Sequence, residues 1–251
     1  MIDEPYLYNF GRCLAPPGWN FTKMRDCNRI YVVYSGSGWY FDGETQRQFL
    51  PGNIYLLPIK SNFRAYQLDS DPLDHMFFDF SLTPPLRSGK AGQVDLSSAA
   101  NDHRLAALRY TVKALEELLS DKNHLHMQEN TDTIKALFPG LLRQLCTVTG
   151  YTFSRDPRIE SVMDRIHATH PDGSLDIPDN EELASLLHLD ISHFIRLFRR
   201  EVGITPYQYI RSHRLNVASA YISSGTSVTD AARFVGYESV SALSHALAGR
   251  K

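Results

Sequence analysis

The chain has 251 residues, 43 % of them hydrophobic and 22 % charged, with a formal net charge of −2, which fits an ordinary globular protein of one large or two smaller domains. No apolar run of about eighteen residues occurs, so no membrane span is expected, and the opening MIDEPYLYNF lacks the basic start and apolar core of a secretory signal. Near-neutral charge argues against a protein that coats nucleic acid by bulk charge, and the scattered Cys13, Cys27 and Cys146 argue against a disulfide framework or a zinc site and for a reducing cytoplasm.

The first ninety residues read as β structure. Residues 29–41 (RIYVVYSGSGWYF) form a β-branched and aromatic run broken by Gly36 and Gly38, and Asp42-Gly43 is a hairpin signal. A return strand is expected over 46–50, a turn at Pro51-Gly52-Asn53, and further strands over 54–58, 63–68 and 75–80. Short strands separated by turn chemistry imply a sandwich or small barrel.

Residues 83–92 (TPPLRSGKAG) read as the exit from this part. Leu105, Leu108, Val112, Leu115, Leu118 and Leu119 then mark one amphipathic helix, and Ile134, Leu137, Phe138, Leu141, Leu142 and Leu145 a second, which Pro139 is expected to kink or divide. These helices can cover the β part or pair with a second subunit. Their place between the two ends favours self-association, hence a homodimer.

A connector over 153–157 leads to a helix over 158–170, stopped by Pro171-Asp172-Gly173. Residues 183–214 (LASLLHLDISHFIRLFRREVGITPYQYIRSHR) then show a short helix capped by Asp179 or Asn180, a turn, and a second helix capped by Asp190. On that second helix Phe194, Leu197 and Phe198 should be core, while Ser192, Ile195, Arg196 and Arg199 face outward, flanked by His193 and Arg200. A cation on the outward face near a helix N-terminus suits guanine edges in the major groove, and Arg199 and Arg200 suit phosphates. Gly203 is expected as a left-handed cap, and Thr205-Pro206 starts a spacer helix reaching about Ser223. Ser224-Gly225 ends the spacer. Ser227 and Asp230 then open a second, weaker helix hairpin (AARFVGYESVSALSHAL, 231–247), with Leu243 and Leu247 as core and Val240, Ser241, Ser244 and His245 outward. Two helix-turn-helix units on one rigid spacer suit two turns of a DNA groove.

From about residue 158 onward the chain resembles the AraC/XylS family of bacterial transcription regulators, through LASLLHLDISHFIRLFRREVGITPYQYI, RLNVASAYI and SVTDAARFVGYESVSAL. The resemblance implies seven helices and DNA-facing residues Ser192, Ile195 and Arg196 in the first unit and Val240, Ser241 and His245 in the second. The family usually has Arg at the position of His245 and a further Gly-x-x-Pro segment with a final short helix. The second unit is therefore expected to be truncated and to contribute less. YSGSGWYFDGE and PGNIYLLP resemble the family's cupin-type sensor, so the fold class implied is α+β: an antiparallel cupin-like barrel (1–92), a helical, dimerising linker (93–152) and a DNA-binding region (156–251).

The barrel is expected to bind a small effector, a sugar or small acid, through Trp19, Arg25, Arg29, Tyr31, Trp39 and Tyr40, whose aromatic faces and cations suit such ligands. The paired-His motif of metal-binding cupins is missing and His75 stands alone, so no metal, cofactor or catalytic residue is assigned. The expected partners are double-stranded promoter DNA, a small molecule, a second subunit and RNA polymerase, in the cytoplasm at the nucleoid. The rival readings are a regulator that dimerises without tight DNA binding and, more remotely, a cupin enzyme.

Overall fold

The computed structural model describes residues 5–21, 27–41, 45–59, 63–82, 85–86, 91–98, 102–121, 126–151 and 156–248, the side chain of Phe21 excepted. The Asp42-Gly43 turn and Arg25 lie outside these residues. The strands are β1 (Tyr6–Leu14), β2 (Asn20–Phe21), β3 (Asn28–Ser35), β4 (Gly38–Phe41), β5 (Gln46–Phe49), β6 (Asn53–Leu57), β7 (Arg64–Gln67), β8 (Asp74–Ser81) and β9 (Gly92–Asp95). They form an antiparallel five-stranded sheet in the order β1-β8-β3-β6-β9 and a four-stranded sheet in the order β2-β7-β4-β5. No ladder joins the two sheets among the described residues, so this is an open pair of sheets and not a closed barrel.

β3 (NRIYVVYS) is buried along its first six residues without alternation, as a strand covered on both faces should be. Its even positions, Ile30 and Val32, join Ile54, Leu56, Met76, Phe78 and Phe80 in one core. Its odd positions, Tyr31 and Val33, join Tyr40, Phe49, Tyr55, Leu57 and Phe63 in another, between the sheets. The run expected over 29–41 divides at Gly36, whose φ is +89° and where an added Cβ would lie 2.2 Å from the carbonyl oxygen of Pro72. Only glycine fits there.

The first core is closed by helices α1 (His103–Ser120) and α2 (Met127–Thr149), which bury Leu105, Leu108, Val112 and Leu115, and Ile134, Phe138, Leu141, Leu142 and Leu145. The apolar faces that suggested self-association therefore cover the five-stranded sheet. α2 runs through Pro139 undivided. The boundary expected at residue 92 falls at the start of β9, which pairs with β6 and carries the sheet on to Asp95.

Beyond residue 155 the described chain is helical: α3 (Pro157–His167), α4 (Asn180–Leu186), α5 (Ile191–Val202), α6 (Pro206–Ser223), α7 (Val228–Phe234) and α8 (Val240–Ala248). These are six helices where the resemblance implies seven. α3 stops at His167, short of residue 170, because the chain turns back through Gly173 (φ 81°) into a bridge between Thr169 and Leu175. Two cores form on α6: Tyr209 and Ile210 pack with α3, α4 and α5, while Leu215, Val217 and Ala218 pack with α7 and α8. No helix is long and apolar enough to cross a membrane, among the described residues.

Candidate nucleic-acid interface

Each helix of the first unit begins with a side-chain cap. Asp179 accepts from the Glu182 amide (2.8 Å) and Asp190 from the His193 amide (2.9 Å). Between them the chain turns at His188, a non-glycine residue at φ 53°. Arg165 of α3 binds Glu182 of α4 at 2.6 Å and the Asp176 carbonyl at 3.0 Å, fixing the support helix. α5 buries Phe194, Leu197, Phe198 and Val202 and ends on Gly203 at φ 95°, as its sequence implies.

This burial leaves Ser192, His193, Arg196, Arg199 and Arg200 exposed, with Ile195 half-buried at the edge of the core. Arg200 differs from the other two cations. Its Nε donates to the buried Glu201 at 2.9 Å, and Asp156 lies 4.0 Å from its Nη2. The phosphate role expected for Arg200 thus competes with a structural one that ties α5 to the cap of α3. Neither the Arg196 nor the Arg199 side chain has an intrachain ion pair or hydrogen bond among the described residues.

α6 opens with a capping box: the Thr205 hydroxyl accepts from the Gln208 amide, and the Gln208 side chain accepts from the Thr205 amide (3.0 Å). Its eighteen residues give a rod of about 27 Å. Arg214 clamps the second unit. Its Nε donates to the Val235 carbonyl at 2.7 Å, its Nη2 to that of Gly236, and its guanidinium lies 4.2 Å from the Tyr237 ring centre. Arg211 stays exposed and shares with Tyr207 a groove of about 400 Å³ between the units. Tyr207 was not singled out from sequence; its 68 % exposure follows from its place beside Pro206 on the solvent side of α6.

In the second unit the Ser227 hydroxyl accepts from the Asp230 amide at 3.1 Å and donates to its carboxylate at 2.7 Å. Ser227→Ala should lower stability by about 1 kcal/mol in urea denaturation; no change would mean the α7 start is held by packing alone. α8 buries Leu243, half-buries Leu247 and exposes Val240, Ser241, Ser244 and His245. Apart from the half-buried Ile195, the outward residues expected from sequence thus share one exposed face in each unit.

The candidate effector residues separate. Trp19, Tyr31 and His75 form a cluster with ring centres 4.7–6.3 Å apart. Arg29 lies beside it but is engaged: Nε and Nη2 donate to Asp79, and Nη1 donates to the Tyr31 hydroxyl at 3.0 Å. Tyr40 is buried in the core between the sheets, whereas Trp39, its neighbour on β4, turns to the opposite face and stacks on Tyr66 at 5.5 Å. His75, given no part in the sequence assignment, belongs to the cluster; burial pushes its pKa below the ordinary value.

No curated protein sequence matches the chain. Among solved structures it is similar to ToxT from Vibrio cholerae at 1.65 Å resolution, with 13 % identity, a TM-score of 0.59, and 98 % of this chain and 94 % of that chain covered. It is also similar to wild-type ToxT with bound unsaturated fatty acid (13 % identity, TM-score 0.61, 99 % and 92 % covered). ToxT bound to (E)-4-(8-methylnaphthalen-1-yl)but-3-enoic acid gives 13 % identity and a TM-score of 0.58, with 98 % and 94 % covered. At this identity the likeness establishes the two-part fold. Residues 183–249 match the model of a helix-turn-helix domain, which spans both units and the spacer between them. The C-terminal part of this chain is a helix-turn-helix domain.

Proposed function

We propose that the chain is a sequence-specific DNA-binding transcription regulator whose two helix-turn-helix units read successive major-groove segments. The observation that carries this reading is the pair of cations, Arg196 and Arg199, whose side chains have no partner among the described residues, on the outward face of a capped helix set on a rigid spacer. In this reading Ser192, Ile195 and Arg196 meet base edges, and His193 and Arg199 meet phosphates. Val240, Ser241 and His245 give the second unit a weaker contact. The strands with α1 and α2 form the sensor, and the chain from Asp156 onward forms the reader.

The sensor binds a small molecule next to Trp19, Tyr31 and His75. The acids bound by ToxT favour a small acid over a sugar. Because the guanidinium of Arg29 is paired with Asp79, aromatic faces supply more of that contact than free charge does. A dimer would use surfaces other than the covered faces of α1 and α2.

The test is selection from a random DNA library with the full chain at two salt concentrations. Enrichment of two sequence blocks about one helical turn apart supports the reading. A single block confines it to α5, and no enrichment at either salt overturns it. Arg199→Ala should lower affinity for all sequences alike and flatten the logarithmic salt dependence by about one unit. An unchanged slope would remove Arg199 from the phosphate contacts.

A further inference from the structure

Two histidines meet where the strand-built part docks on the spacer helix. His213, in the middle of α6, is 2 % exposed. Its Nδ1 lies 2.7 Å from the hydroxyl of Tyr8 on β1, and its Nε2 is buried with no hydrogen-bond partner among the described residues. The ring of His167, the last residue of α3, is centred 4.8 Å from that of His213, and its Nε2 is 2.9 Å from the Tyr209 hydroxyl. Tyr6 of β1 sets its ring edge-on to His213 at 5.7 Å. The cluster forms part of a longer seam: Tyr8 and Cys27 pack with Leu215, Val217 and Ala218, and Ile59 packs into the core of the first unit.

Among the described residues, the titratable groups facing this pair are Tyr6 and Tyr8 from β1, Cys27 ahead of β3, and Tyr209 from α6, with Tyr221 facing Tyr6. None of them is a carboxylate. An imidazolium at His213 would hold a buried N–H with no acceptor, and a second imidazolium at His167 would repel it at close range. In water neither penalty exists, so proton uptake favours separation of the two parts.

We propose that Tyr8, His213 and His167 form a proton-operated latch, holding the strand-built part on the spacer helix while both imidazoles are neutral and releasing it when they are protonated. The inference concerns docking and does not rest on the DNA-binding reading. Burial pushes His167 from its ordinary 6.5 down to about 4, and burial followed by repulsion from His167 pushes His213 well below 6.5. Both bases are thus weaker docked than released. The histidines' contribution to docking is fully present above about pH 6.5 and is lost as pH falls from there toward the docked values. At about one pH unit below 6.5, each histidine should weaken docking about tenfold.

The experiment follows the full chain by small-angle scattering and the histidine C2 protons by NMR from about pH 7.5 to 5. The radius of gyration of the wild type should rise reversibly with unchanged helical circular dichroism, and the His167/His213→Gln/Asn double variant, which keeps neutral donors and acceptors, should stay docked throughout. If the double variant opens over the same pH range as the wild type, the latch is overturned. If that variant is already open at neutral pH, the wild-type spectra decide: His167 and His213 resonances that shift together with the opening support the latch. Resonances that titrate near 6.5 without opening refute it.

Discussion

Asp79→Ala is expected to destabilise the strand-built part by about 3–5 kcal/mol, because it takes the Asp79 carboxylate away from a buried guanidinium. Arg29 and Asp79 sit directly opposite each other on β3 and β8, each 8 % exposed. Burial works against the charge of Arg29, and the attraction of Asp79 outweighs it, so the guanidinium titrates well above its usual range. The link to the neutral Tyr31 hydroxyl cannot replace the Asp79 carboxylate. Urea denaturation of the variant should show a large drop in midpoint. The contrasting variant, Arg29→Met with Asp79→Leu, removes both charges and keeps the volume, so it should recover most of the loss. If Asp79→Ala shifted stability by less than about 1 kcal/mol, the pair would be solvated and Arg29 would again be available to an acidic effector.

That dual character of Arg29 shows where sequence runs out. An arginine among aromatic residues looks like a ligand contact, but its partner is fifty residues away, on a strand it meets only after the sheet forms. The same holds for Arg200 with Asp156 and for Arg214 with the carbonyls of Val235 and Gly236. Local chemistry was far more legible. The caps at Asp179, Asp190, Thr205 and Ser227, the turn at Gly203 and the bounds of α6 were all readable, because each depends on residues within four positions. β1 was missed because Asn9, Gly11 and Arg12 interrupt its apolar pattern and most of it is not fully buried. Its place at the sheet edge is set by pairing with β8. The apolar faces of α1 and α2 were legible, but what they cover was not: amphipathicity does not distinguish a sheet from a second subunit.

Arg196→Ala is expected to weaken binding to the best DNA site by about 1–3 kcal/mol, a factor of roughly 5–150. It should also relax preference at one or two adjacent base pairs while leaving non-specific affinity nearly unchanged. The expectation follows from geometry already present in the free protein. Phe194, Leu197 and Phe198 anchor α5 from below, and Asp190 fixes its first turn. Arg196 is therefore presented from a helix that need not reorganise to bind, and no internal carboxylate competes for it among the described residues. Lysine should rescue part of the affinity and less of the base preference, because an ammonium cannot make the two parallel bonds that guanidinium makes to guanine. Competition assays against single-base variants of the selected site read these effects separately. A uniform loss across all variants would move Arg196 to the phosphate backbone and leave Ser192 and Ile195 as the base-reading residues of α5. Full wild-type affinity and preference would show that this face of the helix does not meet DNA.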